Sequence, residues 1–136
     1  IGPTAALKTL EIMEREKSWE SITATGAKMQ KGWKDLASAH GLDITVSGIP
    51  AMTTYGFNSA NAAIYKTLIT QEMLKKGFLA STNFYACTAH TDAHLTSYFE
   101  ALDTVYSTIA KCEAGKVDAN TLLEGPVCHS GFKRLN

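Results

Sequence analysis

Cys87, His90 and His94 fall within one short segment, where a nucleophile, a base and a metal-binding pair can all be drawn from neighbouring residues. A nucleophilic cysteine needs a partly exposed, electropositive setting, often the amino end of a helix, with a base such as His90 or His129 beside it. Cys87 instead closes the apolar, strand-like run Phe84-Tyr85-Ala86-Cys87 and is expected in the core as an ordinary reduced thiol. The spacing His90-x-x-x-His94 can hold a metal ion when both imidazoles share one helix face. Here His90 precedes the expected helix cap Thr91, and no carboxylate stands at the spacing of a zinc-protease motif. The residues therefore predict structural roles: His90 hydrogen-bonding at a strand-to-helix corner, Thr91 capping backbone amides, and Asp92 near the positive helix end. His94 is expected on the surface, because a full capping box places Glu or Gln at its position.

A second polar cluster, Ser81-Thr82-Asn83, lies between two apolar runs. It reads either as a solvated hairpin turn or as side chains directed into a cleft, and the residues leave both open. Neither Gly-x-Gly-x-x-Gly nor Gly-x-x-x-x-Gly-Lys occurs, so no glycine-rich phosphate loop is present. A Schiff-base lysine requires a desolvated pocket, and the lysines fall on polar helix faces or helix ends. Cys87, Cys112 and Cys128 are odd in number and widely spaced, unlike a zinc site or a disulfide framework. They imply a reducing, cytoplasmic setting. The tail His129-Ser130-Gly131-Phe132-Lys133-Arg134 reads as a phosphate clamp or as a solvated end, with Phe132 docking it on the surface.

The elements that must position these residues are legible from periodicity. Pro3 suits a first helical position, and Ala6, Leu7, Leu10 and Met13 form an apolar stripe. Ser18 is expected to cap a second helix carrying Trp19, Ile22, Met29, Trp33 and Leu36, ending near His40-Gly41. Together residues 1–41 read as one long or bent linking helix. Ile44-Thr45-Val46 and Ala51 to Tyr55 read as short strands around a turn at Ser47-Gly48-Ile49-Pro50. Asn58 or Ser59 opens a third helix that Gly77 closes, and Phe78-Leu79-Ala80 and Phe84 to Cys87 read as strands. Leu95, Tyr98, Phe99, Leu102, Val105, Tyr106 and Ile109 predict a long amphipathic helix. The expected class is α/β in the two-layer α+β sense: a small antiparallel or mixed sheet covered on one face by helices. We read residues 1–136 as a single domain, with an α/β core over 42–122 and a tail over 123–136.

Composition narrows the partners. The apolar fraction is 45%, and thirteen basic side chains balance thirteen acidic ones, which predicts neither a nucleic-acid nor an anionic-membrane partner. No apolar run approaches the roughly 20 residues of a membrane span. The opening Ile1-Gly2-Pro3-Thr4 lacks a signal-peptide pattern and an initiating Met, so the chain is expected to begin inside a longer protein.

Ala89-His90-Thr91-Asp92, preceded by its strand-like run and followed by the long helix, carries a family likeness. So do Gly32-Trp33-Lys34-Asp35-Leu36-Ala37, Val46-Ser47-Gly48, Leu102-Asp103 and Gly125-Pro126-Val127 with Gly131-Phe132-Lys133-Arg134. In these the chain resembles the C-terminal domain of class III, pyridoxal-phosphate-dependent aminotransferases, on the glutamate-1-semialdehyde 2,1-aminomutase-like branch. The resemblance implies the small domain of fold type I, joined to a large upstream domain that carries the cofactor lysine. It implies pyridoxal phosphate in the full-length parent, none on this chain alone, a homodimer, and a small substrate of amino-acid or amino-sugar type. This domain would close one side of the active site and be catalytically silent by itself. Thr82 and Asn83 would stand nearest the substrate. Many relatives carry a substrate-binding arginine in that segment, whereas this chain has only Arg15 and Arg134, both elsewhere; the Phe-Glu-Ala pattern of aminomutases is absent too. The alternative is a stand-alone α/β interaction or oligomerisation module, and a metal- or thiol-dependent enzyme would require Cys87, His90 and His94 to converge.

Overall fold

Residues 1–129 are described by the computed structural model, which has four helices and a three-stranded sheet. Helix α1 runs Gly2–Glu16 with Pro3 in its first turn, and α2 runs Ser18–Ala39. Between them Lys17 takes the left-handed conformation, φ 47°. Lys17 rather than Ser18 therefore occupies the cap position of α2, and no side chain bonds to that helix start. The predicted long entering segment is thus broken at one residue.

The strands β1 (Ile44–Ile49), β2 (Met52–Phe57) and β3 (Asn83–Tyr85) pair antiparallel in the order β1-β2-β3. The turn predicted over Ser47-Gly48-Ile49-Pro50 forms at its far end. Ser47 and Gly48 stay in the ladder opposite Thr54 and Thr53, and the chain reverses at Pro50-Ala51, between the paired Ile49 and Met52. Gly48 explains the shift: at φ 88° it kinks the strand, and a Cβ there would stand 2.5 Å from the Met52 carbonyl oxygen. Pro50, with its preset φ, then takes the turn. The predicted strand at Phe78-Leu79-Ala80 is irregular backbone.

Helix α3 covers Ala62–Lys75, starting after the expected Asn58 or Ser59. Its far end closes as expected, with Gly77 N–H donating to Leu74 O and Phe78 N–H to Met73 O. Helix α4 covers Asp92–Glu113, and a 3₁₀ turn follows at Ala119–Leu122. Alternation puts Thr53, Tyr55 and Phe57 of β2 under the helices, where all three are buried. Trp33, Tyr55, Phe57, Tyr65 and Tyr106 form the centre, with Trp33 and Tyr55 ring centroids 4.6 Å apart. Met29, Trp33 and Ala37 of α2 belong to this core, so the second part of the expected linking helix is also a wall of the domain.

Two devices lock α2 to the hairpin. A Cβ on Gly26 would fall 1.7 Å from the Pro50 carbonyl oxygen, so only glycine admits this approach. Beside it Gln30 Nε2 donates to Gly48 O at 3.1 Å and to Thr53 Oγ1 at 3.0 Å, while Thr53 Oγ1 donates to Ser47 O. Among the described residues no helix covers the opposite face of the sheet. There the register aligns Ile49, Met52 and Tyr85 across all three strands, exposed by 64%, 55% and 66%. The predicted docking of Phe132 and the basic tail residues Lys133 and Arg134 lie outside the described residues.

Candidate functional site

The corner between β3 and α4 gathers most residues singled out from the sequence. After Tyr85 the chain turns, with His90 N–H donating to Cys87 O at 3.1 Å. This turn lifts Cys87 out of the sheet, so the thiol is exposed rather than in the core as expected. Its Sγ lies 3.3 Å from Nδ1 of His90, and its backbone N–H donates to the same nitrogen at 3.1 Å. The imidazole of His90 packs on Phe84 with ring centroids 4.8 Å apart. His90 therefore sits at the strand-to-helix corner, bonded to the Cys87 N–H and packed on Phe84.

Thr91 caps α4: its Oγ1 accepts from His94 N–H at 3.3 Å. His94 answers with Nδ1, which accepts from Thr91 N–H at 3.2 Å. His94 is exposed, and the capping box expected to be incomplete is complete, with an imidazole nitrogen in the acceptor role usually given to Glu or Gln. Asp92 sits in the first turn and pairs with Lys28 of α2 at 2.6 Å. Both partners are exposed, so this pair adds little to stability. No group of three metal-ligating side chains occurs among the described residues.

Thr82 and Asn83 part company. Thr82 is buried, and its carbonyl oxygen accepts from Tyr55 N–H at 2.9 Å and from Thr54 Oγ1 at 3.0 Å. Asn83 is exposed and begins β3 opposite Thr54. They line two different cavities. Asn83 borders one of about 160 Å³ with Trp33, Phe84, His90, His94 and Tyr98. Thr82 borders one of about 390 Å³ with Tyr55, Lys66, Cys128 and His129. In the first, Trp33 Nε1 donates to the Tyr98 hydroxyl at 3.0 Å; burial pushes the Tyr98 phenol up to about 12, against the lowering effect of that hydrogen bond. Burial likewise raises Tyr55 and Tyr106, whose hydroxyls have no hydrogen-bond partner among the described residues. Sequence reasoning missed this aromatic, hydroxyl-bearing layer as a unit, although every member stood in a predicted helix or strand.

No family profile matches the chain. Individual proteins do. It is 28% identical over 106 residues to 3-aminobutyryl-CoA aminotransferase of Cloacimonas acidaminovorans, covering 74% of this chain and 26% of that protein. It is 30% identical over 117 residues to glutamate-1-semialdehyde 2,1-aminomutase of Methanococcoides burtonii, covering 71% of this chain and 26% of that one. One of these relatives is named as an aminotransferase and the other as an aminomutase. The fold agrees: the internal aldimine form of the FumI protein of Sphingopyxis sp. MTA144, a pyridoxal-phosphate protein, superposes with a TM-score of 0.70 at 24% identity over 88% of this chain. That match takes in 29% of the FumI chain, and at this identity it speaks for the fold alone. The match thus spans about a quarter of the length of these two relatives.

Against that background the lysines are informative. Every lysine among the described residues is exposed. An aldimine-forming lysine works from a desolvated site, and in this chain by itself no described lysine occupies one.

Proposed function

We propose that this chain is the C-terminal small domain of a pyridoxal-phosphate-dependent aminotransferase or aminomutase, in which it closes one side of the active site and supports a homodimer. The observation that carries the reading is the pair of relatives, an aminotransferase and an aminomutase, each aligned over more than two thirds of this chain, the aligned part being 26% of each relative. The cofactor, when bound by the parent, supplies the electron sink for moving an amino group. Its lysine and phosphate cradle belong to the large upstream domain, and residues 1–136 alone are catalytically silent. Thr82 and Asn83 are assigned to the substrate side, which for Thr82 means acting through its backbone, since its side chain is buried. The substrate is a small molecule of amino-acid or amino-sugar type.

Exposed apolar surface supports a partner domain. Ile49, Met52 and Tyr85 on the open sheet face and Leu7 and Leu10 on α1 are solvent-facing in this chain. Among the described residues no helix is long and apolar enough to cross a membrane. The three free thiols fit a reducing cytoplasm.

The test is the intact mass and visible absorption spectrum of the polypeptide made from the native gene. A much larger protein with an aldimine band is expected, and in it Asn83→Ala should raise KM more than it lowers kcat. A colourless product of this chain's own size overturns the reading in favour of a stand-alone interaction module.

A further inference from the structure

A hydrogen-bond donor beside the 160 Å³ cavity has no acceptor among the described residues. The donor is the Tyr98 hydroxyl. Its oxygen already accepts the Trp33 Nε1–H at 3.0 Å, so its own proton must go elsewhere. Tyr98 is half-buried as a residue, yet its hydroxyl end is deep: Trp33 is fully buried, and burial pushes the phenol up to about 12. At neutral pH the proton stays in place, and leaving it unpaired costs free energy.

Trp33 and Tyr98 both line the cavity, which α2, β3, α4 and the segment Phe78 to Ser81 border within this chain. The walls are chiefly rings: Trp33, Phe78, Phe84 and Tyr98, with Met29 and Leu95. Phe78 stands edge-on to Tyr98, with centroids 5.9 Å apart and an interplanar angle of 80°. Among the described residues no Lys, Arg, Asp or Glu borders the cavity, so a charged ligand would find no counterion there. His90 and His94 border it as well. Each uses Nδ1 to accept a backbone N–H, which puts the ring hydrogen on Nε2 and adds donors rather than acceptors. Ser81 and Asn83 can give or accept. The volume suits a single six-membered ring, since an apolar cavity of about 150 Å³ holds benzene.

We propose that this cavity is a binding site for a small uncharged aromatic compound with one oxygen acceptor, of the aryl ketone kind, its ring among the aromatic side chains and its oxygen accepting from Tyr98. The ligand supplies the two things missing there, ring surface for the walls and a lone pair for the phenol proton. The site is built from this chain's own helices and sheet, so it needs no upstream domain and does not rest on the function proposed above.

The experiment titrates the ¹⁵N-labelled full chain with acetophenone and follows the two tryptophan indole N–H signals. The Trp33 signal should shift saturably, with a Kd on the order of 1 mM, and that of the exposed Trp19 should stay in place. α-Methylstyrene has the same shape with a CH₂ in place of the oxygen. The preference for acetophenone over it should fall by roughly five- to tenfold in Tyr98→Phe, the worth of one hydrogen bond. No saturable shift at Trp33, an equal shift at Trp19, or an unchanged preference in folded Tyr98→Phe each overturns the proposal. If that variant fails to fold, nuclear Overhauser contacts between acetophenone and Tyr98 in the unsubstituted chain decide: their presence supports the site and their absence overturns it.

Discussion

Helices α1 and α4 carry the same kind of sequence signal and meet opposite fates. Each presents an apolar stripe at helical spacing, yet α4 buries Leu95, Leu102, Val105, Tyr106, Ile109 and Cys112, and α1 buries nothing. Periodicity states which face of a helix is apolar; it does not state what will cover that face. In α4 the cover is supplied within the chain by α2, α3 and the sheet. For α1 the stripe of Leu7, Leu10 and Met13 stays exposed, which is what a helix built to meet another domain would do when that domain is absent.

Substitutions can break or sharpen this contrast. Leu102→Ala in α4 removes a fully buried side chain and should cost about 2–5 kcal/mol, read as a shift in the urea midpoint. The next effect is on pH. Tyr55, Tyr98 and Tyr106 all have raised values in the folded chain, so the unfolded chain loses these protons first. Their contribution is fully present below the ordinary tyrosine value of about 10 and is lost as pH rises toward the folded values. Alkaline unfolding followed by circular dichroism should coincide with the main rise in tyrosinate absorbance; ionisation of all five tyrosines before any unfolding would contradict the buried layer.

Gly26→Ala comes third. In an open helix it would stabilise by about 1 kcal/mol. Against the Pro50 carbonyl it should destabilise by about 1–3 kcal/mol in thermal or urea melts. The smallest effect belongs to α1: Leu10→Ala in this chain should change stability by less than about 0.5 kcal/mol. A loss at Leu10 as large as that at Leu102 would mean that α1 is covered after all, and the contrast between the two helices would fall.

How much of this was readable depended on whether a residue's role is decided locally. The cap Thr91, the stripe of α4 and the closure at Gly77 rest on contacts a few residues apart, and all three stand where periodicity and capping rules put them. The hairpin turn is tighter than its sequence suggested because Ser47-Gly48-Ile49-Pro50 contains two turn signals in succession, and only pairing with β2 decides that Pro50 turns while Gly48 kinks. Phe78-Leu79-Ala80 is apolar for packing and not for a ladder: Phe78 meets the Tyr98 ring at 5.9 Å while Leu79 faces solvent. At the site, His90 was legible as a corner residue. The exposure of Cys87 was not, because it depends on β3 ending at Tyr85, two residues sooner than the apolar run suggested. His94 escaped because a histidine can fill the acceptor place of a capping box only in one tautomer, which composition does not reveal.

Lys17 has a consequence for how the chain comes apart. A lysine in the left-handed region carries a local penalty of roughly 1–2 kcal/mol, and it interrupts the ladder that would otherwise run from α1 into α2. Fifteen residues on the far side then hold helical shape with no buried side chain to anchor them, near the length at which a lone helix is marginal in water. The chain therefore has two cooperative units of very unequal strength: melting α1 leaves the core untouched, and the boundary between the units is one peptide wide.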